Sequence, residues 1–96
     1  MTLSELLQQK RQEILRICAK YGAHNVRVFG SAVWGEDRAE SDIDLLVDFE
    51  PGRSLLDHAG LVLELEGLLG RKADVVSERG HYWLLRRRIL KDARPL

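Results

Sequence analysis

Two aspartates, Asp42 and Asp44, stand two positions apart in the run Ser41-Asp-Ile-Asp-Leu-Leu-Val-Asp-Phe49. In an extended strand side chains alternate between faces, so both carboxylates point the same way with Cα atoms about 6.5–7 Å apart. Two carboxylates that share one space repel unless a cation sits between them. Mg²⁺ suits that position, since it takes one or two carboxylates and keeps the rest of its shell for water and phosphate. A pair of such ions ~3.5–4 Å apart can bridge a triphosphate and steady both the attacking and the leaving oxygen of a displacement. Taken alone, Asp-x-Asp is a weak signal and reads more readily as an amphipathic strand with an acidic, solvated face.

Phe29-Gly30-Ser31 supplies a second piece of chemistry. Glycine lets backbone approach a ligand closely, and a helix opening just after it turns unpaired N–H groups toward an anion. Ser31 adds a hydroxyl for phosphate. An ordinary strand-to-helix turn with a serine cap has the same look. The pairing is what narrows the choice: a phosphate cradle precedes a carboxylate pair by ten residues, Ala32 to Ser41, room enough for a short helix and a returning loop.

The elements that must hold these groups follow from periodicity. Leu3, Leu6, Leu7, Ile14, Ile17, Cys18 and Tyr21 recur at helical spacing and predict a first helix over about residues 3–21, with Thr2 as N-cap and Gly22 as stop. Asn25 to Phe29 reads as a short strand, Ser31 to about Gly35 as a one-turn helix, and residues 36–40 as a polar loop. In the next strand Ile43, Leu45, Val47 and Phe49 form an apolar face, with Asp42, Asp44, Leu46 and Asp48 opposite. Pro51-Gly52 ends it. Ser54 caps a long helix to Leu69, closed by Gly70. Its expected inner stripe is Leu55, Ala59, Val62, Leu65 and Leu69, widened by Leu56, Leu61, Leu63 and Leu68. Lys72 to Val76 reads as a third strand, on which Ala73 and Val75 face one way and Lys72, Asp74 and Val76 the other. A final helix runs from Tyr82 or Trp83 to about Ala93. The order α-β-α-β-α-β-α predicts an α/β (α+β) fold in which helices are layered on a small mixed sheet.

Ninety-six residues, 45% of them hydrophobic, imply a single domain over 1–96 with one compact core and no room for a separate acceptor-binding domain. Fifteen basic and fifteen acidic residues cancel, which gives no overall argument for nucleic-acid or membrane binding. Their distribution is uneven. Residues 36–50 hold seven acids (Glu36, Asp37, Glu40, Asp42, Asp44, Asp48, Glu50) against Arg38, and residues 79–94 hold six bases (Arg79, Arg86, Arg87, Arg88, Lys91, Arg94) against Asp92. Solvated faces are the usual source of such segregation, with a charged site or partner surface the lesser reading. The single cysteine, Cys18, excludes an internal disulfide and lies on the first helix's apolar stripe, where it reads as a small core residue. His24, His58 and His81 lack metal-ligand spacing. With no signal peptide and no apolar stretch near the ~20 residues that span a bilayer, the expected location is the cytoplasm.

Gly30-Ser31, ten residues, then Asp42-Ile43-Asp44 resembles the Gly-Ser-x10-Asp-x-Asp motif of DNA polymerase β-like nucleotidyltransferases. Val28-Phe-Gly-Ser-Ala-Val-Trp-Gly, with Ser41 to Phe49, is similar to the minimal nucleotidyltransferases (MNT). The likeness continues through Leu68-Leu-Gly-Arg-Lys-Ala-Asp-Val-Val76 to Arg88-Ile-Leu-Lys-Asp-Ala-Arg-Pro-Leu96, nearly the whole chain. The resemblance implies that Gly30 and Ser31 hold the triphosphate of an NTP, ATP being the expected donor. It implies that Asp42, Asp44 and Asp74 bind two Mg²⁺ ions, and that Asp74 also helps deprotonate an acceptor hydroxyl. MNT proteins commonly accompany a HEPN-domain toxin, and some silence it by adding AMP to a tyrosine. The same partnership is therefore implied here, and direct nucleic-acid binding is not. The rival from another class is a non-catalytic antitoxin that inhibits its partner by occlusion. One departure stands out: family members commonly carry arginine just before the glycine matching Gly35, and this chain has Trp34. Tyr82 and Trp83 beside Arg86, Arg87 and Arg88 further suggest a docking surface on the last helix, with Trp83 as a core residue the competing reading.

Overall fold

The structure, a computed structural model, describes residues 3–30, 42–78 and 93–96. The expected turn helix after Ser31, the loop to Ser41, Trp34, and the final helix with Tyr82, Trp83 and Arg86 to Arg88 lie outside the described residues.

The described elements run α1 (Leu3–Gln9), α2 (Arg11–Lys20), β1 (Ala23–Phe29), β2 (Ile43–Phe49), α3 (Leu55–Leu69), β3 (Ala73–Ser77) and β4 (Arg94–Pro95). The strands form one sheet in the order β3-β2-β1-β4. β1 pairs antiparallel with β2 and β4, whereas β2 pairs parallel with β3. A parallel pair needs a crossover, and α3 supplies it. The expected small mixed sheet packed with helices is the observed architecture.

The alternation read in β2 holds on its core side: Ile43, Leu45 and Val47 are fully buried against Ile14 and Cys18 of α2 and Leu61 and Leu65 of α3. Phe49, at the strand's end, is only partly buried. Leu46, on the carboxylate face, is fully buried as well. That face is therefore solvated only in part.

The first helix is two. Lys10 interrupts it within the polar run Gln8 to Glu13, where no apolar side chain between Leu7 and Ile14 ties the backbone to the core. β1 begins at Ala23, two residues before the expected start, because Asn25 adopts a left-handed conformation (φ 50°) and the register with β2 shifts between His24 and Arg27. Such a bulge carries the strand past a residue that looks like a boundary.

α3 starts and stops where expected. Ser54 Oγ accepts the Leu56 N–H at 3.2 Å, Asp57 accepts the Ser54 N–H at 2.9 Å, and Gly70 closes the helix in the left-handed region. Its expected inner stripe is corrected. Leu61, Leu65 and Leu69 are buried, while Leu55, Leu56 and Leu63 are 85%, 84% and 70% exposed and Ala59 also faces outward. Apolar residues fall on every side of α3, so periodicity leaves its rotation open. Gly60 helps settle it, since a Cβ there would stand 2.6 Å from Tyr21 Cε1. The Tyr21 ring thus occupies the space a side chain at Gly60 would need. Tyr21 and Lys20 both donate to Glu64, at 2.8 and 2.6 Å, which pins the same side of α3 to α2. β4, where Arg94 and Pro95 pair with Val28 and Arg27, was not foreseen. Two residues are too few to show a period.

Candidate functional site

β1, β2 and β3 bring three of the expected groups into one row. Asp44 of β2 is the register partner of Phe29 on one side and of Asp74 on the other. Gly30 follows Phe29 directly, with φ +75°, and its backbone lies against the Asp44 carboxylate. A Cβ built there would overlap Asp44 Oδ2 and stand 3.2 Å from Asp44 Cγ. Glycine is thus required twice, for the conformation and for the carboxylate that fills the space of a side chain. Asp42 precedes β2 and is exposed, as is Asp74, while Asp44 is half-buried.

Partial burial of Asp44 disfavours its charge, and the charges of Asp74 and then Asp42 add to the effect, so that its carboxyl is pushed up to about 6. The row therefore gathers carboxylates whose like charges oppose one another, a cost that a bound cation would offset. Three hard oxygen donors with that need fit Mg²⁺. Among the described residues, however, no three acids, histidines or cysteines are gathered into a ready-made ion cage. The structure places Asp44 beside Asp74 and against Gly30, and leaves Asp42, Asp44 and Asp74 short of a closed cluster. Ser31 lies outside the described residues.

Beside the row, a cavity of about 230 Å³ is lined by Asp42, Glu66, Lys72, Ala73 and Asp74. Glu66 was not singled out by sequence reasoning. Its only signal there is position, four residues before the helix-stop Gly70 and eight before Asp74. A larger cavity, about 570 Å³, opens at the opposite end of β2 and β3 near Phe49, His58 and Ser77. Among the described residues that line it there is no acid. The two described histidines stand outside the row, His24 on β1 and His58 on α3. His24 Nε2 is 3.1 Å from Glu50 Oε2, and His58 Nε2 donates to the Val75 carbonyl at 2.7 Å.

The nucleotidyltransferase domain family matches residues 11–96. A candidate protein adenylyltransferase of Methanocaldococcus jannaschii is 39% identical over 91% of this chain and 94% of its own. The protein adenylyltransferase MntA of Thermococcus cleftensis is 40% identical over 81% and 79% of the two chains. Among solved structures, a candidate minimal nucleotidyltransferase superposes with a TM-score of 0.88 at 55% identity, covering 100% of this chain and 97% of that one. A tri-AMPylated Shewanella oneidensis HEPN toxin in complex with MNT antitoxin matches with a TM-score of 0.71 at 18% identity, over 92% of this chain and 69% of that one. That last likeness is one of fold. With a family match over most of its length and relatives this similar along nearly all of theirs, the chain belongs to the nucleotidyltransferases, and among them to the minimal nucleotidyltransferases.

Proposed function

We propose that this chain is a protein adenylyltransferase that moves AMP from ATP to a hydroxyl, expected to be a tyrosine, of a HEPN-type toxin and so acts as its antitoxin. The observation that carries the reading is the row Gly30, Asp44, Asp74, in which a glycine of left-handed conformation abuts one carboxylate and a second stands in register with it. Relatives named protein adenylyltransferases support the choice of a protein acceptor.

In the reaction the acceptor oxygen attacks the α-phosphorus of ATP, the bond to the β-phosphate oxygen breaks, and pyrophosphate leaves with that electron pair. Gly30 and Ser31 hold the triphosphate, whose leaving end needs donors as its charge grows. Asp42, Asp44 and Asp74 would hold Mg²⁺, which when bound neutralises charge on the phosphates. Asp74, exposed at the sheet edge, accepts the proton of the acceptor hydroxyl. Most of the acceleration then comes from positioning two reactants on one rigid sheet.

Incubation with the protein encoded by the neighbouring gene, Mg²⁺ and ATP labelled at the α-phosphate tests the reading. Label should move to protein with the wild type and fall by at least about 100-fold with Asp42→Asn, the scale expected when charge stabilisation at the reacting phosphate is lost. Near-wild-type transfer by Asp42→Asn would remove that residue from the site.

A further inference from the structure

Asp74 stands on β3, the outermost strand of the described sheet, and something must fix where that strand begins. The peptide joining Lys72 to Ala73 shows what does. Its carbonyl accepts the Ile43 N–H at 2.9 Å and so faces β2. The N–H of the same peptide points away, onto the edge of the sheet, where no described strand can receive it. The Glu66 carboxylate receives it instead: Ala73 N donates to Glu66 Oε2 at 2.9 Å, in a half-buried setting. The backbone carbonyl of Glu66 also accepts the Gly70 N–H at 2.9 Å, the bond that closes α3. One residue thus holds both ends of the turn between α3 and β3, and the next residue after that turn's anchor is Asp74.

From this geometry we infer that Glu66 is a positioning residue for Asp74: by clamping the α3–β3 turn it sets where the third carboxylate stands relative to Asp42 and Asp44. Glu66 shares the 230 Å³ cavity with Asp42 and Asp74, yet one of its oxygens is committed to backbone. Its work is done through that bond, and what it requires is an acceptor oxygen, not a charge. The inference rests on the reading of Asp74 as a metal-binding carboxylate, and the test separates the two.

Mn²⁺ binding by the whole chain, followed by electron paramagnetic resonance alongside thermal melting, compares Glu66→Ala, Glu66→Gln and Asp74→Asn with the wild type. Losing an outer partner of a metal-binding group should weaken Mn²⁺ binding about tenfold in Glu66→Ala. Glutamine keeps a carbonyl that can accept the same N–H, so Glu66→Gln should stay within about twofold of the wild type. Asp74→Asn should lose at least as much as Glu66→Ala. Wild-type affinity in Glu66→Ala with weakened binding in Asp74→Asn would overturn the positioning role and leave the metal site standing, and a lowered melting temperature would then mark Glu66 as purely structural. Equal losses in Glu66→Gln and Glu66→Ala would overturn it too, because the charge itself would then be needed. Unchanged binding in Asp74→Asn would remove Asp74 from the metal site and this inference with it.

Discussion

At Asp44 the fold works against its own charge. Burial and the neighbouring Asp74 and Asp42 hold its carboxyl at about 6, above the ~3.9 of an unfolded chain. A group whose folded value is raised costs stability once it ionises, so the cost grows from about pH 4 to pH 6 and is complete above that. Without divalent ions, Asp44→Asn should therefore melt higher than the wild type at pH 7.5 and equal to it near pH 4. Because Asp44 is only partly buried, solvent screens the penalty, and about 1 kcal/mol or 4–8 °C is the expected gain. Mg²⁺ should raise the melting temperature of the wild type and not of the variant. Gly30 is the other residue under constraint. Gly30→Ala must place a methyl group at positive φ and into the Asp44 carboxylate, and a loss of roughly 1–3 kcal/mol should appear in denaturant melts. An unchanged midpoint would mean that Asp44 turns aside freely.

Elements were legible wherever a short polar signal marked them. Ser54 and Gly70 bounded α3 correctly because caps act within a few residues, and β2 declared itself through an alternation that only Leu46 breaks. Rotation about the axis of α3 was not legible, since it depends on Tyr21 meeting Gly60 across the fold. The corrected rotation makes a sharp contrast between leucines that look alike in sequence. Leu65→Ala, in the core, should cost about 2–5 kcal/mol, whereas Leu56→Ala should fall within ±0.5 kcal/mol. Equal effects in chemical denaturation would return the helix to its first assignment. The break at Lys10, the bulge at Asn25 and the two-residue β4 were missed for one reason. The bulge and β4 are set by strands elsewhere in the chain and the break at Lys10 by the polar run around it, and none leaves a period of its own.

Across the whole molecule, the row of Gly30, Asp44 and Asp74 is drawn from three strands that the sequence separates by a long stretch and a crossover helix. The motif spacing pointed to Gly30 and Asp44, and the family resemblance to Asp74. Neither foretold the Gly30–Asp44 contact or Glu66, which arise only when β3 docks beside β2. No helix among the described residues is long and apolar enough to cross a membrane, and the acceptor proposed above is a hydroxyl on another protein. The central claim is therefore catalytic silencing of a partner. Intact mass spectrometry of the partner tests it most directly, after incubation with a tenth of its molar amount of this chain, ATP and Mg²⁺, followed by separation. The account predicts that the partner gains the mass of AMP and stays inactive after separation, and that the Asp42→Asn, Asp44→Asn double variant produces neither effect. A partner silenced only by equimolar protein, with no gain in mass and equally well by the double variant, would contradict it and establish occlusion instead.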